Sequence, residues 1–592
     1  MSSQAPIYQM SDHQAKVPVT MVPSWANRTP ESPSALIRWS KELSDGELIS
    51  TSERRRTIAQ CLAKHGISCD VDRVPRVALL GSGGGLRAMI ALMGTLMELA
   101  TQDLLDSIMY LCGVSGSTWC MSSVYEDVLW SRNVNACERR MKESLNSSSR
   151  PKTNMWQKIE HAIEEGVYSL TNLWGQLVGS RMIKHINENK LANHKGACEH
   201  GMNPYPIYAA VDKAKIKDEF KHVPGTWFEF TPHYSGFTDF GAFVKTEAIG
   251  SHFEKGNLLA RKAEKTICYL QGLWGSALAN EQDIKSFIKD SIDVSFRGDD
   301  DEDESTGTLS YYTSASEHGE YTYARGFHNM AERVVAACSC KCCLATKALL
   351  GLSNDELEGE AGKKALLTLE TLLAESERDG TCHMTKTGFS PRGFFTDALS
   401  SVGERMKIIA KLMKCLIKWQ WGTTHNFLYK CSDQDASIPT ALTSQEYIHL
   451  IDAGLAINSA YPLVLRPERK VDLILSFDFS AGDPFATLKE SAEYCRSNKI
   501  PFPIITLDTR EENYPSGCYI FKGPNVPTVM HFPLFNVDNC PGEIQDYKDI
   551  FSTFQTSYGR ENVDNLLRLS KMTVQKHKDK ILQELAQAVH AG

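Results

Sequence analysis

The 592-residue chain has no apolar run approaching the roughly 20 residues needed to span a bilayer, so any lipid contact is expected to be peripheral. It has no basic surplus either. Its 72 acidic and 64 basic residues leave a formal charge of −8, which argues against nucleic acid as a partner and against simple electrostatic adsorption to anionic membranes. No Gly-Lys-Ser/Thr follows the glycine-rich turn near residue 83, and Leu86 stands where a dinucleotide fingerprint needs its third glycine. Both nucleotide fingerprints therefore fail on spacing. No EF-hand loop with its glycine and terminal glutamate is present, and no metal-ligand set or cofactor motif is read. No secretory leader precedes the 17 cysteines, which are odd in number and scattered, so they read as reduced cytosolic thiols.

The most informative stretch runs from Val77 to Trp119. The apolar run Val77–Leu80 ends in Gly81-Ser82-Gly83-Gly84-Gly85, and Ser107–Cys112 ends in Gly113-Val114-Ser115-Gly116-Ser117. Two parallel strands finishing side by side in small-residue turns, joined by a buried crossover helix over Arg87–Leu105, explain this pattern. Ser115 sits where a nucleophile elbow would put it, because Gly113 and Gly116 remove side chains that would clash in a strained strand-to-helix turn. The usual pattern closes on glycine, and Ser117 occupies that place. A Ser/Gly-rich βα loop without chemistry fits the same residues. Glycines 83 to 85 expose consecutive backbone N–H groups at the carboxyl end of the sheet, where an oxyanion or phosphate can be held.

Residues 1–34 are polar and rich in Pro and Ser, which suggests a flexible arm. Ala35–His65 reads as helical, with Arg54-Arg55-Arg56 on a solvated face. After Ser115 a helical pattern reaches about Asn189, its Trp156, Tyr168 and Trp174 read as core, and two strand-rich segments follow, NPYPIYAAVD and TWFEFTPHYSGFTDFGAFV, with Trp274-Gly275-Ser276 on a helix beyond. Asp299–Glu304 is an acidic block within a segment of loop composition. Cys338–Cys343 is the densest thiol cluster; its spacing does not suit a metal, palmitoylation would suit a surface helix, and incidental cysteines fit as well. Residues from about 297 to 418 read as a helical insertion capping the sheet. Further on, Tyr447–Ile451 and Val471–Phe477 read as strands, the first ending in Asp452-Ala453-Gly454. An aspartate at a strand end before two small residues is placed to reach the sheet edge that carries Ser115, although turn aspartates of this kind are common.

Together, GSGGGLRA, GVSGS, WFEFTPHYSG, WGTTHNFLY and DAG followed by YPLVLRPERKVDLILSFDFS resemble the catalytic domain of the cytosolic phospholipases A2, over most of the chain from about Leu36 to Leu567. The likeness is nearest to the type that lacks an N-terminal C2 module. It implies a patatin-like α/β fold, a central mostly parallel sheet with a helical cap insertion, forming one catalytic domain over residues 35–592. It further implies that Ser115 is the nucleophile and Asp452 its partner in a dyad, that Gly84 and Gly85 supply the oxyanion hole, and that Arg87 holds the substrate phosphate. Asn458 and Arg466 fall on positions near the pocket. The implied reaction is acyl transfer from glycerophospholipids and lysophospholipids at a membrane surface, in a cytoplasmic enzyme that associates peripherally with intracellular membranes and needs no cofactor.

The chain departs from that type in one respect: its last four residues hold no cysteine for prenylation, and the Cys342-Cys343-Leu344-Ala345 look-alike is internal. The residues before Val77 are fewer than the about 100 of a β-sandwich module. Calcium independence is therefore expected, with membrane contact through apolar surface around the pocket mouth, on the 344–418 cap. Two other classes fit the motifs: a Ser-His-Asp esterase using Ser115, Asp452 and His531, in that chain order, and a lipid-binding homologue without turnover.

Overall fold

A computed structural model describes residues 37–148, 168–216, 225–279, 420–431 and 438–591, together with 162, 364 and 415. The expected N-terminal arm, the acidic block and the Cys338–Cys343 cluster lie outside the described residues, as does the expected cap apart from Lys364 and Cys415.

The centre is a 12-stranded mixed sheet with a parallel block in its middle. The block consists of β2 (Val77–Gly81), β3 (Tyr110–Gly113), β4 (Tyr205–Asp212), β12 (Leu473–Asp478) and β14 (Thr528–Pro533), in the order β4-β3-β2-β12-β14. Each of the first four is buried along its whole length, as expected of parallel strands covered on both faces, which is why their sequences are continuous apolar runs. Antiparallel strands flank the block. On one side β5 (Trp227–Phe230), β6 (Tyr234–Phe237) and β7 (Ala242–Lys245) form a meander that ends against β1 (Ile37–Trp39); on the other, β13 (Tyr519–Phe521) pairs with β14.

One strand acts as a ruler for the site. Tyr205–Tyr208 of β4 pair in parallel with β3, while Ala210–Asp212 pair antiparallel with β11 (Tyr447–Asp452). Since β5 occupies the opposite edge of β4 over residues 208–211, β3 and β11 share one edge and run towards each other. Their carboxyl ends meet: Gly113 is opposite Tyr208, and Asp452 is opposite Ala210. The residues that follow β3 and the last residue of β11 are thereby brought nose to nose.

The crossover helix α2 (Gly85–Thr101) is buried almost all round and packs against the C-terminal helix Arg560–Ala591. Gly94 makes that approach possible: a Cβ there would lie 2.1 Å from Ser570 Oγ and 2.9 Å from the Leu567 carbonyl. The helix ends at Thr101, short of the expected Leu105, and a 3₁₀ turn at Leu105–Ser107 precedes β3.

Three local expectations are corrected. Ala35–His65 is not one helix: Ile37–Trp39 is an edge strand, and α1 (Asp45–Lys64) begins only at Asp45, where the Ser44 side chain accepts the Glu47 N–H. Arg54 is not solvated. It is 1 % exposed and donates to the carbonyls of Ile108, Gly201 (3.0 Å) and Leu105 (3.3 Å), because its side of α1 faces the turn that leads into β3. The helix Ile267–Trp274 ends at Trp274, so Gly275 and Ser276 belong to the turn after it.

Candidate active site

The turn after β3 is strained, and its surroundings explain why. Ser115 takes φ +51° and ψ −124°, a conformation rare for a residue with a side chain, immediately before α3 (Gly116–Val124). A Cβ on Gly116 would lie 2.0 Å from the Gly85 carbonyl oxygen, and one on Gly83 would lie 2.8 Å from Ser115 Cβ. The two small-residue turns are thus in backbone contact. Ser117, where the common elbow pattern has glycine, fills this narrow space and donates a 2.6 Å hydrogen bond to the Ser82 carbonyl, tying one turn to the other.

On the glycine-rich side, Gly84 (φ +148°) and Gly85 (φ +61°) adopt conformations that a side chain would resist, and they open α2. The helices α2 and α3 therefore start within a few ångströms of one another beside Ser115, and the unpaired N–H groups of a helix's first turn carry partial positive charge. Asn458 holds the Gly83 end: its Oδ1 accepts from Gly83 N at 3.2 Å, and its Nδ2 donates to Gly83 O at 3.3 Å and to Ser480 Oγ at 3.1 Å.

Asp452 is fully buried, and that burial lifts its carboxyl to about 7. Acting against burial are the Gly454 N–H on Oδ1 (2.8 Å), the Ser115 side chain, and the Ala277 N–H on Oδ2 (3.3 Å). The Asp452 backbone N–H donates to Ser276 Oγ at 3.0 Å. The turn 275–278 thus grips both the backbone and the side chain of Asp452, a role invisible in the sequence because Ser276 and Asp452 are far apart along the chain. The nearest sequence hint was the Trp274-Gly275-Ser276 motif itself.

Of the other candidates, Arg87 lies beside Gly84, where a Cβ would be 2.7 Å from its Nη2. Its guanidinium is 1 % exposed and donates to the carbonyls of Phe479 (2.6 Å) and Phe551 and to Thr553 Oγ1 (3.1 Å); burial lowers its pKa to about 10. It fastens the 551–553 segment over the glycine turn. Arg466 is drawn elsewhere, to Glu229 (2.9 Å) and the Lys41 carbonyl (2.7 Å), in a buried network where Arg469 also bridges Glu229 and Glu47.

His531 is not brought to Ser115. It lies on β14, separated from β3 by β2 and β12, or about 14 Å at normal strand spacing, and its Nε2 meets the Pro484 carbonyl at 2.7 Å. Among the described residues no histidine is a hydrogen-bond partner of Asp452.

The arrangement is an α/β sheet with a strained serine turn at the carboxyl end of a central strand, and known proteins narrow the class. A family model described as the lysophospholipase catalytic domain matches residues 77–287. Human cytosolic phospholipase A2 gamma is 37% identical over 551 residues, covering 91% of this chain and 94% of that protein. The mouse protein of the same name is 35% identical, with 92% and 91% covered. The solved structure of human GIVD cytosolic phospholipase A2 superimposes with a TM-score of 0.62 at 25% identity, covering 95% of this chain and 67% of that one. The chain belongs to the cytosolic phospholipase A2 family.

Proposed function

We propose that this chain is a phospholipase A2 with lysophospholipase activity that cleaves glycerophospholipid acyl esters through a Ser115–Asp452 dyad. The observation that carries the reading is the meeting of β3 and β11, which sets the Ser115 hydroxyl against a buried carboxyl with no described histidine between them. In the first half-reaction the Ser115 proton passes to Asp452 as Oγ bonds to the ester carbonyl carbon. The carbonyl oxygen, now negative, is received by N–H groups at the Gly84–Gly85 turn. Collapse breaks the bond to the lysolipid oxygen, which takes the proton from Asp452. Water, or a second lysolipid, then repeats the sequence on the acyl-serine. A carboxyl poised at about 7 suits both the taking and the return of that proton. Each role is filled by a protein group, and calcium has none.

The surface around the site suits a lipid partner. Phe554, 67% exposed, follows the segment that Arg87 fastens over Gly85, with Ile550 46% exposed just before it, while Leu455, 48% exposed, comes three residues after Asp452. Apolar side chains in water close in the chain to the site's residues would be covered by entering a bilayer, and such contact does not depend on a basic surface.

The test is product release from mixed micelles in excess chelator. Fatty acid and lysolipid should form at the same rate with and without added calcium, and not at all with Ser115→Ala. A calcium requirement, or turnover surviving in that variant, would contradict the scheme. Arg87→Ala should lower turnover of a phospholipid and of a neutral ester alike, since its donors hold the backbone. A loss confined to the phospholipid would instead support the phosphate contact implied by the family resemblance.

A further inference from the structure

His425 is 8% exposed, and its Nδ1 is buried without a hydrogen-bond partner among the described residues. Leaving such a group unsatisfied costs about 1–3 kcal/mol, and buried polar atoms in native folds normally have a partner, an ordered water or an ion. Two metal-ligating side chains surround it. His252, on β8 (His252–Glu254), places its ring 4.9 Å from that of His425. Glu446, just before β11, has a carboxylate oxygen 3.9 Å from His252 Nε2. One ligand atom from each of the three falls within 4.8 Å of the others.

The backbone holds these segments together independently of the side chains. Asn426 N donates to the Glu446 carbonyl at 2.9 Å, and Lys255 N donates to the Tyr429 carbonyl at 2.9 Å. Ligands about 2.0–2.1 Å from a zinc ion stand roughly 3.3 Å apart in a tetrahedron, so the cluster has to contract by up to about 1.5 Å. The two outer members have room to do so, since the side chains of His252 and Glu446 are 33% and 42% exposed. The near-parallel ring planes, 18° apart, require His252 to turn about its χ angles so that its nitrogen faces the ion. His425 is held from the other side by Tyr447, 4.9 Å away. The nearby Lys262 and Lys265 oppose a cation at this place, and the Glu446 carboxylate favours one.

We propose that His252, His425 and Glu446 form a site for a divalent transition ion of the zinc class, with water completing its coordination. Two imidazoles and one carboxylate select such an ion over calcium or magnesium, which prefer oxygen ligands. The ion clips β8 onto the antiparallel pair β10 (Thr423–His425) and β11. Glu446 precedes the start of β11 and Asp452 ends it, a separation of about 20 Å along a strand, so the ion stabilises the strand and takes no part at Ser115. The site does not depend on the reaction assigned to Ser115.

The test titrates the full chain, stripped by chelator and desalted, with cobalt(II) followed by its visible absorption and with zinc(II) followed by the thermal midpoint. His252→Ala and Glu446→Ala alter exposed or half-exposed side chains and keep the buried His425. The unaltered chain should bind an equivalent of cobalt in a spectrum without thiolate bands, and zinc should raise its midpoint by several degrees. In His252→Ala and Glu446→Ala that equivalent should bind at least tenfold more weakly, and the zinc-dependent rise in midpoint should shrink. Affinity retained within tenfold in either variant, or no such equivalent in the unaltered chain, would overturn the site.

Discussion

Burial lifts the Asp452 carboxyl from its ordinary 3.8 to about 7, and that displacement acts on both activity and stability. In the proposed dyad the base must be ionised to take the Ser115 proton, so kcat/KM on a soluble ester should rise with pH and level off above about 7, and His531→Ala should leave that limb in place. For stability the sign is opposite. Between about 4 and 7 the folded state holds a proton that the unfolded state has released, so this group makes the fold less stable as pH rises through that window. Asp452→Asn, which keeps the shape and removes the charge, should therefore raise the thermal midpoint at pH 8 and change it little at pH 4. The difference is on the order of a few kcal/mol in a calorimetric comparison. A midpoint lowered equally at both pH values would mean that burial does not strain this carboxylate.

Among the elements, the two strand-to-helix turns are the part of the site most legible in the sequence. Runs of small residues after apolar strands have few explanations, and the placement of Ser115, Gly84 and Gly85 follows from them. Gly116→Ala should abolish turnover, since its Cβ meets the Gly85 carbonyl and both atoms belong to packed backbone. Ser117→Gly should cost only about 1 kcal/mol for the lost hydrogen bond, read in denaturant unfolding, and retain most activity. Equal damage from the two changes would show that the contact between the turns is not what matters. Other parts were illegible for a physical reason. The antiparallel insertion of β11 against β4, the grip of Ser276 and Ala277 on Asp452, and the burial of Arg54 arise between segments far apart in sequence. The buried network of Glu47, Glu229, Arg466 and Arg469 is of the same kind, and a charged residue read alone looks solvated. Removing one member should be costly because it strands a charge in the core.

At the scale of the whole molecule, no helix among the described residues is long and apolar enough to cross a membrane, and the chain carries net negative charge. None of the twelve described cysteines forms a disulfide, so none stiffens the described part of the chain. The expected apolar contact on the 344–418 cap falls outside the described residues apart from Lys364 and Cys415, whereas the exposed Phe554, Ile550 and Leu455 lie within a few residues of Thr553 and Asp452 along the chain. Phe554→Ser should weaken binding to zwitterionic phosphatidylcholine vesicles by about tenfold, roughly the transfer of one aromatic side chain, with little dependence on salt. Hydrolysis of a soluble ester should be unchanged. Weakened soluble turnover would instead place Phe554 in the substrate pocket.

The direct encounter of Ser115 with Asp452 is tested most simply by covalent labelling with an alkyl fluorophosphonate, which captures a serine only when a base activates it. The intact chain and His531→Ala should each gain one adduct, located at Ser115 by peptide mass, while Asp452→Asn should gain none on the same time scale. An unlabelled but folded His531→Ala, or an adduct at any other serine, would contradict the dyad.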